Sequence, residues 1–159
     1  MYEKLELLIN GQFRQGSDGK SEPVYNPATG EVLGELPHAS KADLDEALAA
    51  SAKAYKIWRG ETALSRQKTL EKACRILEDR FDEVAENLTK EMGKPLVEAK
   101  LELSVAIDVI RWYGEEGKRV YGRTVLPRMA GIAQTVRKDP VGPVIAFVAW
   151  NFPALNVVR

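Results

Sequence analysis

Residues 144–153 read Val144-Ile145-Ala146-Phe147-Val148-Ala149-Trp150-Asn151-Phe152-Pro153. From Val144 to Ala149 every position is apolar. A strand with one wet face would alternate; a run that does not alternate is expected of a strand covered on both faces, as in a parallel sheet under helices. Pro153 suits the first position of a helix, where its missing N–H is an orphan in any case. The stretch therefore predicts a buried strand over 144–149 and a helix from Pro153. In open α/β sheets ligands collect at the carboxyl ends of the strands, and Asn151 stands at such an end. One buried strand cannot make a sheet, and the earlier β runs are short and rich in turns. The sequence reads as the first part of a larger α/β protein, cut just after its first core strand.

Working back from this stretch, Gly122, Pro127, Gly131, Pro140, Gly142 and Pro143 punctuate the chain. Thr124 to Leu126 and Ala133 to Arg137 lie between them as short β runs with basic residues, an exposed two-stranded excursion. Before it, Leu96, Leu103, Ile107, Ile110 and Tyr113 predict a helix from about Leu96 to Val120. Leu70, Ala73, Leu77, Phe81, Val84, Leu88 and Met92 predict one helix, broken by Gly93-Lys94-Pro95. Ser40 opens another, with Asp43 completing a capping box and Gly60 ending it. The first forty residues are β with turns. Asn10-Gly11 signals a hairpin, and Asn26-Pro27 with Thr29-Gly30 turns the chain between Val24-Tyr25 and Val32 to Leu36.

The 159 residues carry 23 Lys plus Arg against 23 Asp plus Glu, so charge gives no reason to expect a nucleic-acid or anionic-membrane partner. Hydrophobic residues at 45% and charged residues at 29% argue for a globular core and against bulk disorder. One cysteine, Cys74, and one histidine, His38, exclude a disulfide framework and a Cys/His zinc cage, and a lone cysteine fits a reducing cytoplasm. The start, MYEKLELLING, is too short in apolar residues and too acidic for a signal peptide, and no run is long enough to span a bilayer.

INGQF, NPATGEVLGELPHAS, EMGKPLVEA, WYGEEGKRVYG and KDPVGPVIAFVAWNFPALNVVR occur in that order, and with them the chain resembles the N-terminal part of an aldehyde dehydrogenase. The step from Asn151 to Arg159 resembles the succinate-semialdehyde dehydrogenase branch. The resemblance implies a Rossmann-like NAD(P)-binding domain of helices on a mostly parallel sheet. Its parts would be residues 1–120, the strand and helix start at 143–159, and a β hairpin at 121–142 through which family members associate as dimers or tetramers. It implies NAD or NADP as cofactor and oxidation of an aldehyde, succinate semialdehyde above all, to its acid. The family's nucleophilic cysteine, general-base glutamate and catalytic domain would follow Arg159, so these 159 residues alone would be inactive. A free-standing truncated product or interaction module is the alternative, separated by whether the reading frame continues.

By the same resemblance Asn151 is the catalytic residue, its amide donating to a developing oxyanion. Position alone favours a helix N-cap for this Asn. Phe147, Val148, Ala149, Trp150 and Asn151 would line the nicotinamide side of the cofactor cleft. Ala149 departs from the proline that many members carry. Phe152 and Arg159 would line the aldehyde tunnel, seven positions apart and hence on one helical face. The Arg159 guanidinium would grip the far carboxylate of the substrate. Cys74 reads as a small buried hydrophobe, Glu115-Glu116 as a solvated face, and His38 carries no role. Gly30, Gly34 and Gly60 form no dinucleotide fingerprint, on which this family does not rely.

Overall fold

A computed structural model describes residues 4–159. The reading of Met1, Tyr2 and Glu3 lies outside the described residues. Strands β1 (Leu7–Ile9) and β2 (Gln12–Arg14) form an antiparallel hairpin. Its turn places Asn10 at φ 52° and Gly11 at φ 78°, the left-handed pair that an Asn-Gly hairpin demands. A second hairpin joins β3 (Ser21–Tyr25) to β4 (Val32–Pro37). The Asn26 side chain accepts from the Ala28 N–H at 2.9 Å and shapes the turn between them.

Helix α1 (Lys41–Trp58) begins at the expected capping box. Asp43 does more than cap. Its carboxylate accepts from the Ser17 and Ser40 amides, both at 2.9 Å, and from Arg14 Nη2 at 3.1 Å, so it ties the first hairpin and its loop to the helix. The Ser17 and Ser40 N–H bonds hold this carboxyl well below the usual carboxylate range. The C-cap is Arg59 in right-handed geometry, so Gly60 follows the helix end without supplying a left-handed cap.

The single helix expected through Leu70 and Met92 is two: α2 (Ala63–Asp79) and α3 (Phe81–Met92), separated at Arg80. Arg80 leaves helical geometry at φ −106°, ψ 17°, which turns the chain while the apolar spacing continues on both sides. Side-chain periodicity reports which residues face a core, not whether one axis carries them. Gly93 ends α3 at φ 78°, and a Cβ there would stand 3.0 Å from the Pro27 ring, so the tight turn of the second hairpin seats on a glycine.

Helix α4 (Leu96–Glu116) stops one turn before Val120. It packs on α2, on α3 and on the short α5 (Pro153–Val158). The core sits where these helices meet: Cys74, Ala85, Leu88, Ala99, Leu103 and Ile107 are buried together, with Ala154 of α5 packed against them. Cys74 is fully buried, as expected of a small core residue, and burial pushes its thiol pKa up. Glu115 and Glu116 pair outward with Lys118 and Arg119, the solvated face expected of them.

Strands β5 (Arg123–Val125) and β6 (Gln134–Val136) form the expected exposed hairpin. Val144 to Ala149, by contrast, form no strand and are not buried. Val144 is 77% exposed and Phe147 97% exposed. The reason is physical: an interior strand needs hydrogen-bonded neighbours. The pairings among the described residues are three two-stranded hairpins, and none of them pairs with this stretch. No described helix is long and apolar enough to cross a membrane.

Candidate functional site around Asn151

The turn at Trp150 to Phe152 is built from α4, α5 and the loop after α3. Two charged residues, both buried, do the joining. Lys94, just after the left-handed Gly93, is 7% exposed, and Glu102, on the buried stripe of α4, is 3% exposed. Lys94 Nζ pairs with Glu102 Oε2. Lys94 Nζ also donates to the Asn151 carbonyl at 3.0 Å and lies 4.1 Å from the centre of the Phe152 ring. The other carboxylate oxygen, Glu102 Oε1, accepts from the backbone N–H of Ala154 at 2.8 Å and of Leu155 at 3.1 Å. Those are orphan donors of the first turn of α5, normally satisfied by the residue before the helix.

This geometry decides one question left open by position. Asn151 is not the helix cap. Phe152 occupies the N-cap, no local side chain caps the helix, and Glu102 from α4 satisfies its amides instead. The Asn151 backbone carbonyl is fixed by Lys94, while its residue is exposed and its carboxamide is not used for capping. At the far end, Tyr113 Oη donates to the Arg159 carbonyl at 3.2 Å, and Asn156 Nδ2 reaches back to the Ala149 carbonyl at 3.4 Å. A helix of six residues is thus held at both ends by α4.

Phe152 and Arg159 are the N-cap and C-cap of α5 and do not lie within it, because helical geometry begins only at Pro153 and ends at Val158. Their seven-residue spacing therefore does not put them on one face by helical geometry alone. Phe147, Val148, Ala149 and Trp150 lead into the turn along an open surface, with Trp150 83% exposed. Lys94 and Glu102 were missed by the reading of the sequence. A signal existed for Glu102. It falls three positions after Ala99 and four before Ala106, on a stripe that is otherwise apolar, and a charge in such a stripe needs a partner.

Residues 13–159 match the model of the aldehyde dehydrogenase family. The chain belongs to this family. Among its relatives, the 4-(hydroxymethyl)benzenesulfonate dehydrogenase TsaD1 of Comamonas testosteroni is 44% identical over 159 residues, all of this chain and 33% of that protein. The NADP-dependent succinate-semialdehyde dehydrogenase of Escherichia coli K12 is 38% identical over 97% of this chain and 32% of its own. The crystal structure of a succinate-semialdehyde dehydrogenase from Burkholderia pseudomallei superposes with a TM-score of 0.94 at 36% identity, covering 97% of this chain and 32% of that one. The chain thus spans about a third of the length of these relatives, and its α/β architecture is that of the N-terminal part of the aldehyde dehydrogenase fold.

Proposed function

We propose that the polypeptide carrying this chain is an NAD(P)-dependent aldehyde dehydrogenase whose substrate bears an anionic group remote from the aldehyde, with succinate semialdehyde as the leading candidate. The observation that carries the reading is the family match over residues 13–159, running through the stapled turn at Asn151. In this reading the Asn151 carboxamide, free of capping duty, donates to the oxygen of the aldehyde as charge develops on it. Cys74 is not the nucleophile: it is fully buried and its thiol pKa is raised, both opposed to thiolate chemistry. The nucleophile and the base that activates water are therefore assigned outside these 159 residues, and the chain by itself turns over no aldehyde.

NAD(P) supplies the hydride acceptor when bound. Phe147 to Trp150 are assigned to one wall of its nicotinamide site, where the exposed Trp150 indole offers a flat apolar surface. Residues 1–120 and 143–159 are assigned to the cofactor domain. The exposed hairpin in 121–142 is assigned to subunit association, and the cytoplasm is the compartment. Arg159 is assigned to the remote anion. Relatives named for succinate semialdehyde, glutarate semialdehyde, 3-sulfolactaldehyde and a benzenesulfonate support this, because each substrate pairs its reacting carbon with a carboxylate or sulfonate.

The test uses the full-length polypeptide with succinate semialdehyde and with butanal, NAD+ or NADP+ being reduced. Arg159→Leu is expected to lower kcat/KM for succinate semialdehyde about 10- to 100-fold, the worth of a charge-assisted hydrogen bond, and to spare butanal. Equal loss on both substrates would sink the anion assignment, and no oxidation of either aldehyde by the parent would sink the proposed activity.

A further inference from the structure

We propose that Lys94 and Glu102 are positioning residues for Asn151, a buried ion pair that sets the direction of the catalytic carboxamide from beneath. The proposal rests on the oxyanion reading of Asn151. An amide that stabilises charge in a transition state must stand ready before the reaction, because reorganisation at that moment forfeits the gain. Among the described residues Asn151 lies in a turn, outside any helix or strand. It follows a stretch without secondary structure and precedes the helix cap.

What the structure supplies is a clamp on each side of the residue. Lys94 Nζ holds the Asn151 carbonyl at 3.0 Å and the Phe152 ring at 4.1 Å. Glu102 Oε1 holds the amides of Ala154 and Leu155. The Lys94–Glu102 pair joins these two holds into one unit, linking the peptide before Phe152 to the peptides before Ala154 and Leu155. The pair is nearly all buried, so breaking it by removing one partner matters far more than it would for a surface ion pair. Neither side chain is assigned to the substrate or the cofactor; both act through the backbone of residues 151–155.

The experiment is a double-mutant cycle in the full-length polypeptide, with kcat, both KM values and the thermal midpoint read for each variant. Lys94→Met keeps the stem of the side chain and leaves Glu102 bonded to the two helix amides. It is expected to lower kcat about 10- to 100-fold, the cost of misplacing a group by an ångström or so, with the cofactor KM unchanged. On an Asn151→Ala background the same substitution is expected to cost no more than about twofold, because a residue that acts only through the carboxamide has nothing left to position. Glu102→Gln is the second variant. Its Oε1 still accepts from Ala154 and Leu155, while its new amide donor faces Lys94 and breaks the pair, so it should reproduce the Lys94→Met kinetics with α5 intact. A full loss on both backgrounds would make the pair structural and overturn the proposal, as would a parental kcat in either single variant. If Asn151→Ala alone retains the parental rate, the oxyanion reading falls first and the positioning role falls with it.

Discussion

Replacing Asn151 by Ala separates two uses of the same side chain. Were it a helix cap, its loss would cost about 1 kcal/mol of stability. In a domain of this size that is roughly 2–4 °C in thermal midpoint. The structure assigns that duty elsewhere: Phe152 is the N-cap residue, Glu102 satisfies the Ala154 and Leu155 amides, and the bond from Lys94 uses the Asn151 carbonyl, which alanine retains. The expected stability change is therefore close to zero. The rate should behave differently. Removing one donor to an oxyanion costs about 2.7–4 kcal/mol in the transition state, roughly 100- to 1,000-fold in kcat. Calorimetry of the full-length polypeptide gives the first quantity, and single-turnover aldehyde oxidation at saturating cofactor gives the second. A midpoint lowered by several degrees with parental single-turnover kinetics would refute the reasoning, since it would return Asn151 to a local structural role.

Two further outcomes concern the scaffold. Leu103 is 1% exposed at the meeting of α2, α3 and α4, so Leu103→Ala should destabilise by about 2–5 kcal/mol in urea unfolding. Its exposed neighbour Ser104→Ala should stay within about 0.5 kcal/mol, and equal effects would mean the core lies elsewhere. Asp43→Asn should lower the thermal midpoint by an amount that depends on pH. The folded carboxyl is held below its ordinary value of 3.8, so its contribution is fully present above that value and is lost as pH falls below it through the lower folded value. The gap between parent and variant should be constant near neutrality and narrow in acid; a gap that widens in acid would contradict the assigned hydrogen bonds.

The elements legible in the sequence were those whose cause lies within a few residues. Asn10-Gly11 dictates its hairpin because both positions need positive φ, and Ser40 with Asp43 starts α1 because the two groups satisfy each other's amides. Gly93 before Pro95 stops α3 for the same kind of reason. The break at Arg80 has no such local marker: neither Gly nor Pro stands there, and the apolar spacing runs straight through it. Cys74 could be read as core because its neighbours in the period are apolar. The chain-long family motifs carried the identity, which no amount of periodicity would have supplied.

What escaped the sequence was held by contacts far along the chain. Val144 to Ala149 have the composition of a buried strand, and composition records what a segment is suited to meet, whereas pairing depends on an edge being there to meet it. The site shows the same distinction in a sharper form. Glu102 is detectable as a misfit on an apolar stripe, and the rule that buried charges are paired demands a cation. Lys94 stands only eight residues before it, on the far side of the helix start at Pro95, and nothing local names the amides of Ala154 and Leu155, 52 and 53 residues away. Trp150-Asn151-Phe152-Pro153 carries the family resemblance, while Lys94 and Glu102, which hold the backbone around it, sit in motifs that look merely structural. Gly93-Lys94-Pro95 reads as a helix terminator until the lysine between its two breakers is seen holding the Asn151 carbonyl. The left-handed glycine and the proline turn the chain so that Lys94 leaves the end of α3 toward α4, and that turn lets one buried carboxylate serve both a lysine and a helix terminus.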